Sequence, residues 1–98
     1  MIGWNEKGEF AEGFVDQLAQ TLRNTVAVLA EADAGPEHIV RMTWYVKDLD
    51  EYRLNLRDIG STYREIMGKN FPAMAVVGVT GLVEPTALVE IESTAVIP

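Results

Sequence analysis

The last third of the chain constrains the fold most. There two β-rich runs, Met74 to Thr80 and Leu88 to Val96, are expected to pair across a connection in which Gly81 and Pro85 exclude helix. The second run carries Glu90 and Glu92 among apolar residues. Strand alternation puts both acids on one face, where they meet either solvent, an intersubunit partner or a ligand.

Upstream, Phe14, Leu18, Leu22, Val26 and Leu29 recur at helical spacing, with Gln17, Gln20, Arg23 and Asn24 off that stripe, so a helix is predicted from about Ala11 to Asp33. Gly35 and Pro36 stop it, and Pro36-Glu37-His38 turns the chain into a strand over Ile39 to Val46. In that strand Val40, Met42, Trp44 and Val46 share one side, and Arg41, Thr43 and Tyr45 the other. Asp50 is placed to cap a second helix, in which Tyr52, Leu56, Ile59, Tyr63 and Ile66 form the stripe and Gly68 the stop. The order predicts an α+β fold in a single domain over 1–98, with two helices packed on one face of a mixed β-sheet. Apolar side chains on both faces of the strands exceed what one helix layer covers, which fits a second face buried by self-association.

Composition removes several function classes. There is no cysteine, hence no disulfide, thiolate nucleophile or sulfur-ligated metal. A net charge of -7 with no basic cluster argues against nucleic acid as a partner. No apolar run is long enough for a membrane span, and no secretory signal precedes the charged start, so a cytoplasmic location is the default. His38, the single imidazole, follows a proline turn and has no acidic cluster beside it, and neither Ser61 nor Ser93 has a matched base nearby. No glycine-rich phosphate loop is present, and neither a metal nor a cofactor is expected.

The block Phe71-Pro72-Ala73-Met74-Ala75-Val76-Val77-Gly78-Val79 with Leu88-Val89-Glu90-Ile91-Glu92 resembles the C-terminal signature of the YjgF/YER057c/UK114 family, also called the RidA or reactive-intermediate deaminase family. Ile2-Gly3-Trp4, Leu29-Ala30-Glu31-Ala32 and Val40 to Asp48 fall in that family's order, so the resemblance covers nearly the whole chain. Typical members are longer, and the part lacking here would be an N-terminal β-hairpin ahead of Ile2-Gly3. The resemblance implies a chorismate-mutase-like fold and a homotrimer with small-molecule clefts between subunits. It further implies hydrolysis of a 2-imino acid, tautomer of an enamine such as 2-aminoacrylate, to a 2-keto acid and ammonia. Some relatives carry a ribonuclease label, which nothing in this sequence supports extending here.

In active members an arginine directly after the Pro-Ala pair binds the substrate carboxylate in a bidentate fork, and that position here holds Met74, which has neither charge nor donor. Arg41, Lys69 and Lys47 are the candidate replacements, each also readable as a solvated surface charge. Glu90 matches the family's water-activating glutamate, and burial there would raise its pKa into a useful range. Gly3, Thr80 and Gly81 fall where the family's cleft is lined by small groups, although turn geometry alone explains Gly81. Trp4, Tyr45 and Phe71 form either an aromatic wall for a ligand or ordinary packing. Two functions stand open: an imine or enamine hydrolase with altered specificity, and a non-catalytic trimer that binds a small molecule.

Overall fold

A computed structural model describes residues 1–97. Helix α1 (Phe14–Ala30) is followed by a 3-10 turn (Pro36–His38), strand β1 (Ile39–Val46), helices α2 (Leu49–Leu54) and α3 (Leu56–Met67), and strands β2 (Ala73–Gly78) and β3 (Val89–Ala95). The sheet has the order β2-β1-β3, with β1 parallel to β2 and antiparallel to β3. The two β-rich runs of the last third therefore do not pair with each other; both flank β1. Parallel pairing needs a crossover of a dozen or more residues, and α2 with α3 supplies it.

The α+β class, with helices on a mixed sheet, is as the sequence predicts. Helix α1 buries Phe14, Leu18 and Leu22 against the face of the sheet formed by Met42, Trp44, Val46, Val89 and Ile91, with Ile59, Tyr63 and Met67 of α3 completing the core. The helix ends three residues earlier than expected. Glu31 to Asp33 form a turn in which Asp33 takes φ 54°, and Ala34 N–H closes back on Leu29 C=O at 3.0 Å.

Three local departures have clear causes. A bulge between Ile39 and Arg41 resets the alternation at the start of β1, so Ile39 is buried and Val40 is 47% exposed. The cap of α2 is Asp48 instead of Asp50, its carboxylate accepting from Asp50 N–H (3.0 Å) and Glu51 N–H (3.3 Å). Asn55, at φ -115° and ψ 21°, then breaks the expected single helix in two, and Leu56 falls off the buried stripe at 55% exposed.

Gln17 is the main surprise of α1. Its side chain lies buried, donating to Ala11 C=O (2.8 Å) and Thr86 C=O (2.9 Å) and accepting from Leu88 N–H (2.8 Å). The amide thereby ties the connection between β2 and β3 to α1, next to the fully buried Ala87. Along the outer edge of β3, Ile2 bridges Glu90 and Ile91 N–H donates to Met1 C=O at 2.8 Å, while Trp4 and Phe10 bridge around the turn at Asn5 to Gly8. Gly3 is required at its place: a Cβ would lie 2.5 Å from Gln17 C=O and 2.9 Å from the Thr21 hydroxyl.

Candidate functional site

Sheet register decides which candidate residues can meet. Across the helix-covered face run the rows Met74–Met42–Ser93 and Val76–Trp44–Ile91; across the open face run Val77–Tyr45–Glu90 and Ala75–Thr43–Glu92. Met74 and Glu90, the two residues singled out for the family's arginine and glutamate positions, therefore sit on opposite faces of the same sheet, with β1 between them.

On the helix side, Met74 stands at the rim of an apolar pocket of about 240 Å3. The sheet contributes Trp44 and the approach to β2 contributes Phe71 and Pro72, while Tyr52, Ile59 and Tyr63 descend from the two helices of the crossover. Tyr63 is stacked on Phe71 (centroids 5.6 Å apart, 22° between planes) and tilted against Trp44 (6.1 Å, 39°). The Tyr63 hydroxyl donates to Asn70 C=O, and burial raises its pKa, so the ring is held as the neutral phenol. The indole N–H of Trp44 is buried and has no acceptor among the described residues. No cation lines the pocket.

On the open face, Glu90 is half-buried beside Tyr45, its neighbour across the strands, and Ile2. Arg41 belongs to this face too, exposed and paired in register with Ala73, and it makes no ion pair among the described residues. The open face is less apolar than the sequence led us to expect. Trp44, Val89 and Ile91 all turn to the helices, leaving Val77 (39% exposed), the half-buried Tyr45 and the small exposed Ala73 and Ala75 beside Arg41, Thr43, Glu90 and Glu92.

The remaining candidates lie elsewhere. Gly3 packs on α1, and Trp4 sits 6.2 Å from the Phe10 ring in the N-terminal hairpin. Thr80 and Gly81 are exposed just beyond β2. Lys47 reaches Pro85 C=O at 3.4 Å, and Lys69 is exposed before β2. His38 accepts from Gly35 N–H through Nδ1 at 3.0 Å, a turn-forming role. Among the described residues no group of three or more His, Asp or Glu side chains is placed to hold a metal ion, and no helix is long and apolar enough to cross a membrane.

Tyr52, Ile59 and Tyr63 were legible only as an apolar stripe. The signal that separates them from plain core is their chemistry: two of the three carry a polar tip, which a buried helix face seldom chooses without a partner.

A short mixed sheet with helices on one face and an apolar pocket beside its β2 edge defines the class of protein. Residues 1–97 match the family model described as Endoribonuclease L-PSP, and the chain belongs to that family, the YjgF/RidA/UK114 proteins. It is 39% identical over 97 residues to a RutC family protein of Aquifex aeolicus, covering 97% of this chain and 74% of that one. To the RutC family protein UK114 of Drosophila melanogaster it is 34% identical over 83 residues, covering 85% of this chain and 56% of the relative. Among solved structures, RidA from the Antarctic bacterium Psychrobacter superposes with a TM-score of 0.85 at 26% identity, over 99% of this chain and 76% of that one. A Mycobacterium tuberculosis member of the YjgF/YER057c/UK114 family gives 0.77 at 31% identity, over 89% and 70%.

Proposed function

We propose that this chain acts as a homotrimer whose intersubunit clefts join the Met74 pocket of one copy to the Tyr45 and Glu90 face of the next, and that a small, neutral imine or enamine is hydrolysed there. The observation that carries this reading is the placement of Met74 and Glu90 on opposite faces of one sheet. One copy cannot present both to a single ligand; two adjacent copies can. The unpaired outer side of β2 and the partly exposed Val77 and Met74 supply surface for such a contact.

In the reaction, water adds to the carbon of the C=N bond. Glu90 takes a proton from the attacking water and returns it to the imine nitrogen, giving the carbinolamine; it then relays the hydroxyl proton to the same nitrogen, and the C–N bond breaks to release a carbonyl compound and ammonia. The pocket offers no partner for a carboxylate, and an unpaired carboxylate is costly in an apolar site, so a neutral substrate fits better than a 2-imino acid. Water activation and substrate anchoring are separate tasks, and Met74 removes only the second as the family performs it.

The test is ammonia and keto-acid release from freshly generated 2-iminobutanoate and 2-iminopropanoate, beside carbonyl release from an uncharged imine. Acceleration of the uncharged imine that is lost in Glu90→Ala, together with gain of the imino acids in Met74→Arg, supports hydrolysis. A correctly assembled trimer that accelerates none of them favours the second reading, a non-catalytic small-molecule binder, for which the apolar pocket alone is the supporting observation.

A further inference from the structure

The chain contains no cysteine, so its four methionines are its readily oxidised sulfurs. Burial divides them into two pairs. Met42 and Met67 lie in the core at 2% and 1% exposure, whereas Met74 is 46% exposed and Met1 41%. Met74 alone of the four joins exposure to the apolar pocket, whose lining it shares with Phe71 and Pro72. Met1 instead pairs through its backbone with Ile91 along the outer edge of β3.

We infer that Met74 is a reversible oxidation site, and that its sulfoxide makes the pocket a poor host for apolar groups. The inference rests on the ligand-binding role proposed for this pocket and names a regulation of it. The sulfur lone pair attacks one oxygen of hydrogen peroxide, the O–O bond breaks, and the departing hydroxide takes the proton of the new S–OH group to leave as water. Sulfur loses two electrons and the peroxide gains them. An apolar thioether thereby becomes a polar S=O group. The Tyr63 hydroxyl is already engaged by Asn70 C=O, so a hydrocarbon seated against the sulfoxide takes that dipole out of water with no replacement bond from Tyr63. A cleft that admits an imine admits peroxide as well, since peroxide is the smaller molecule. Return to the thioether consumes two thiols, which leave as a disulfide and water. A chain without cysteine draws them from outside.

The experiment exposes the folded full chain to hydrogen peroxide and follows each methionine by peptide mass mapping over time. Met74 should gain one oxygen at least about tenfold faster than Met42 and Met67, and methionine sulfoxide reductases A and B with dithiothreitol should remove it from the folded protein. Toluene is the probe of the pocket, its binding read from the Tyr63 and Phe71 ring resonances by NMR. Its affinity should fall at least about fivefold on oxidation and return on reduction. In Met74→Leu, peroxide should leave the toluene affinity at whatever value that variant starts from, which separates Met74 from the similarly exposed Met1. Oxidation of Met74 no faster than of the buried pair, or a sulfoxide that the reductases cannot remove without unfolding, overturns the inference. Toluene bound equally before and after oxidation also overturns it but leaves the pocket standing as a ligand site. Toluene bound by neither form overturns it together with the binding role on which it rests.

Discussion

Met74 and Glu90 point away from each other through one sheet: Met74 shares its row with Met42 on the helix side, Glu90 its row with Tyr45 on the open side. A cleft that uses both must draw them from different copies, and that makes a complementation experiment decisive. Mixing Met74→Trp, which blocks the pocket, with Glu90→Ala should regain turnover that neither variant has alone. Random mixing restores both features in about a quarter of the clefts. If the mixture stays as inactive as its parts after refolding together, the two residues do not serve one shared cleft.

Gln17 closes three backbone groups at once, so its removal should be felt far from α1. Gln17→Leu keeps the bulk but orphans Leu88 N–H and the carbonyls of Ala11 and Thr86. We expect a loss of roughly 2 to 4 kcal/mol, read from the urea midpoint. Hydrogen exchange should accelerate first at Leu88 and in the connection before β3.

Gly3→Ala tests the close approach of the N-terminal segment to α1. The new methyl carbon would lie 2.5 Å from the Gln17 carbonyl, a backbone atom that cannot swing away. A destabilisation of about 1 to 3 kcal/mol is expected in thermal unfolding, against less than about 0.5 kcal/mol for alanine at exposed Lys7 as a control.

Tyr63 predicts an alkaline limit. Its folded pKa is raised above the ordinary value of 10.0 by burial, so the folded state holds its proton more tightly than the unfolded chain does. The associated stability is complete below pH 10 and is lost as pH rises from there through the folded value. Urea midpoints of the wild type should therefore fall above pH 10, and part of that fall should vanish in Tyr63→Phe. At neutral pH the same variant should cost about 1 kcal/mol for the lost bond to Asn70 C=O.

What the sequence could disclose was mostly local. Phe14, Leu18 and Leu22 announce α1 because three apolar groups at spacing four leave little alternative, and Trp44 with Val46 marks the buried side of β1. Val40 misleads because a bulge is invisible to simple alternation, and Gln17 misleads because its polarity argues for solvent until the β2–β3 connection arrives to bond it. The site was legible as residue types and not as a place. Glu90 and Met74 could be singled out from the motif, but only the strand order β2-β1-β3, a long-range property, tells which side of the sheet each one faces. The pocket depends likewise on how α3 leans Tyr63 onto Phe71, a contact between elements that no spacing rule encodes.

Strand β3 comes last in the chain yet lies directly against β1 and also receives Ile2. During synthesis, β1, the helical crossover and β2 can form a unit before β3 leaves the ribosome, but Trp44 and Val46 then lack their Ile91 and Val89 neighbours. The sheet therefore closes only when residues 89–95 emerge, and at that moment the N-terminal segment finds its edge. Completion of the fold thus waits on β3: before it docks, α1 and α3 can already gather on Met42, Trp44 and Val46, but the layer lacks Val89 and Ile91 and the strand that receives Ile2.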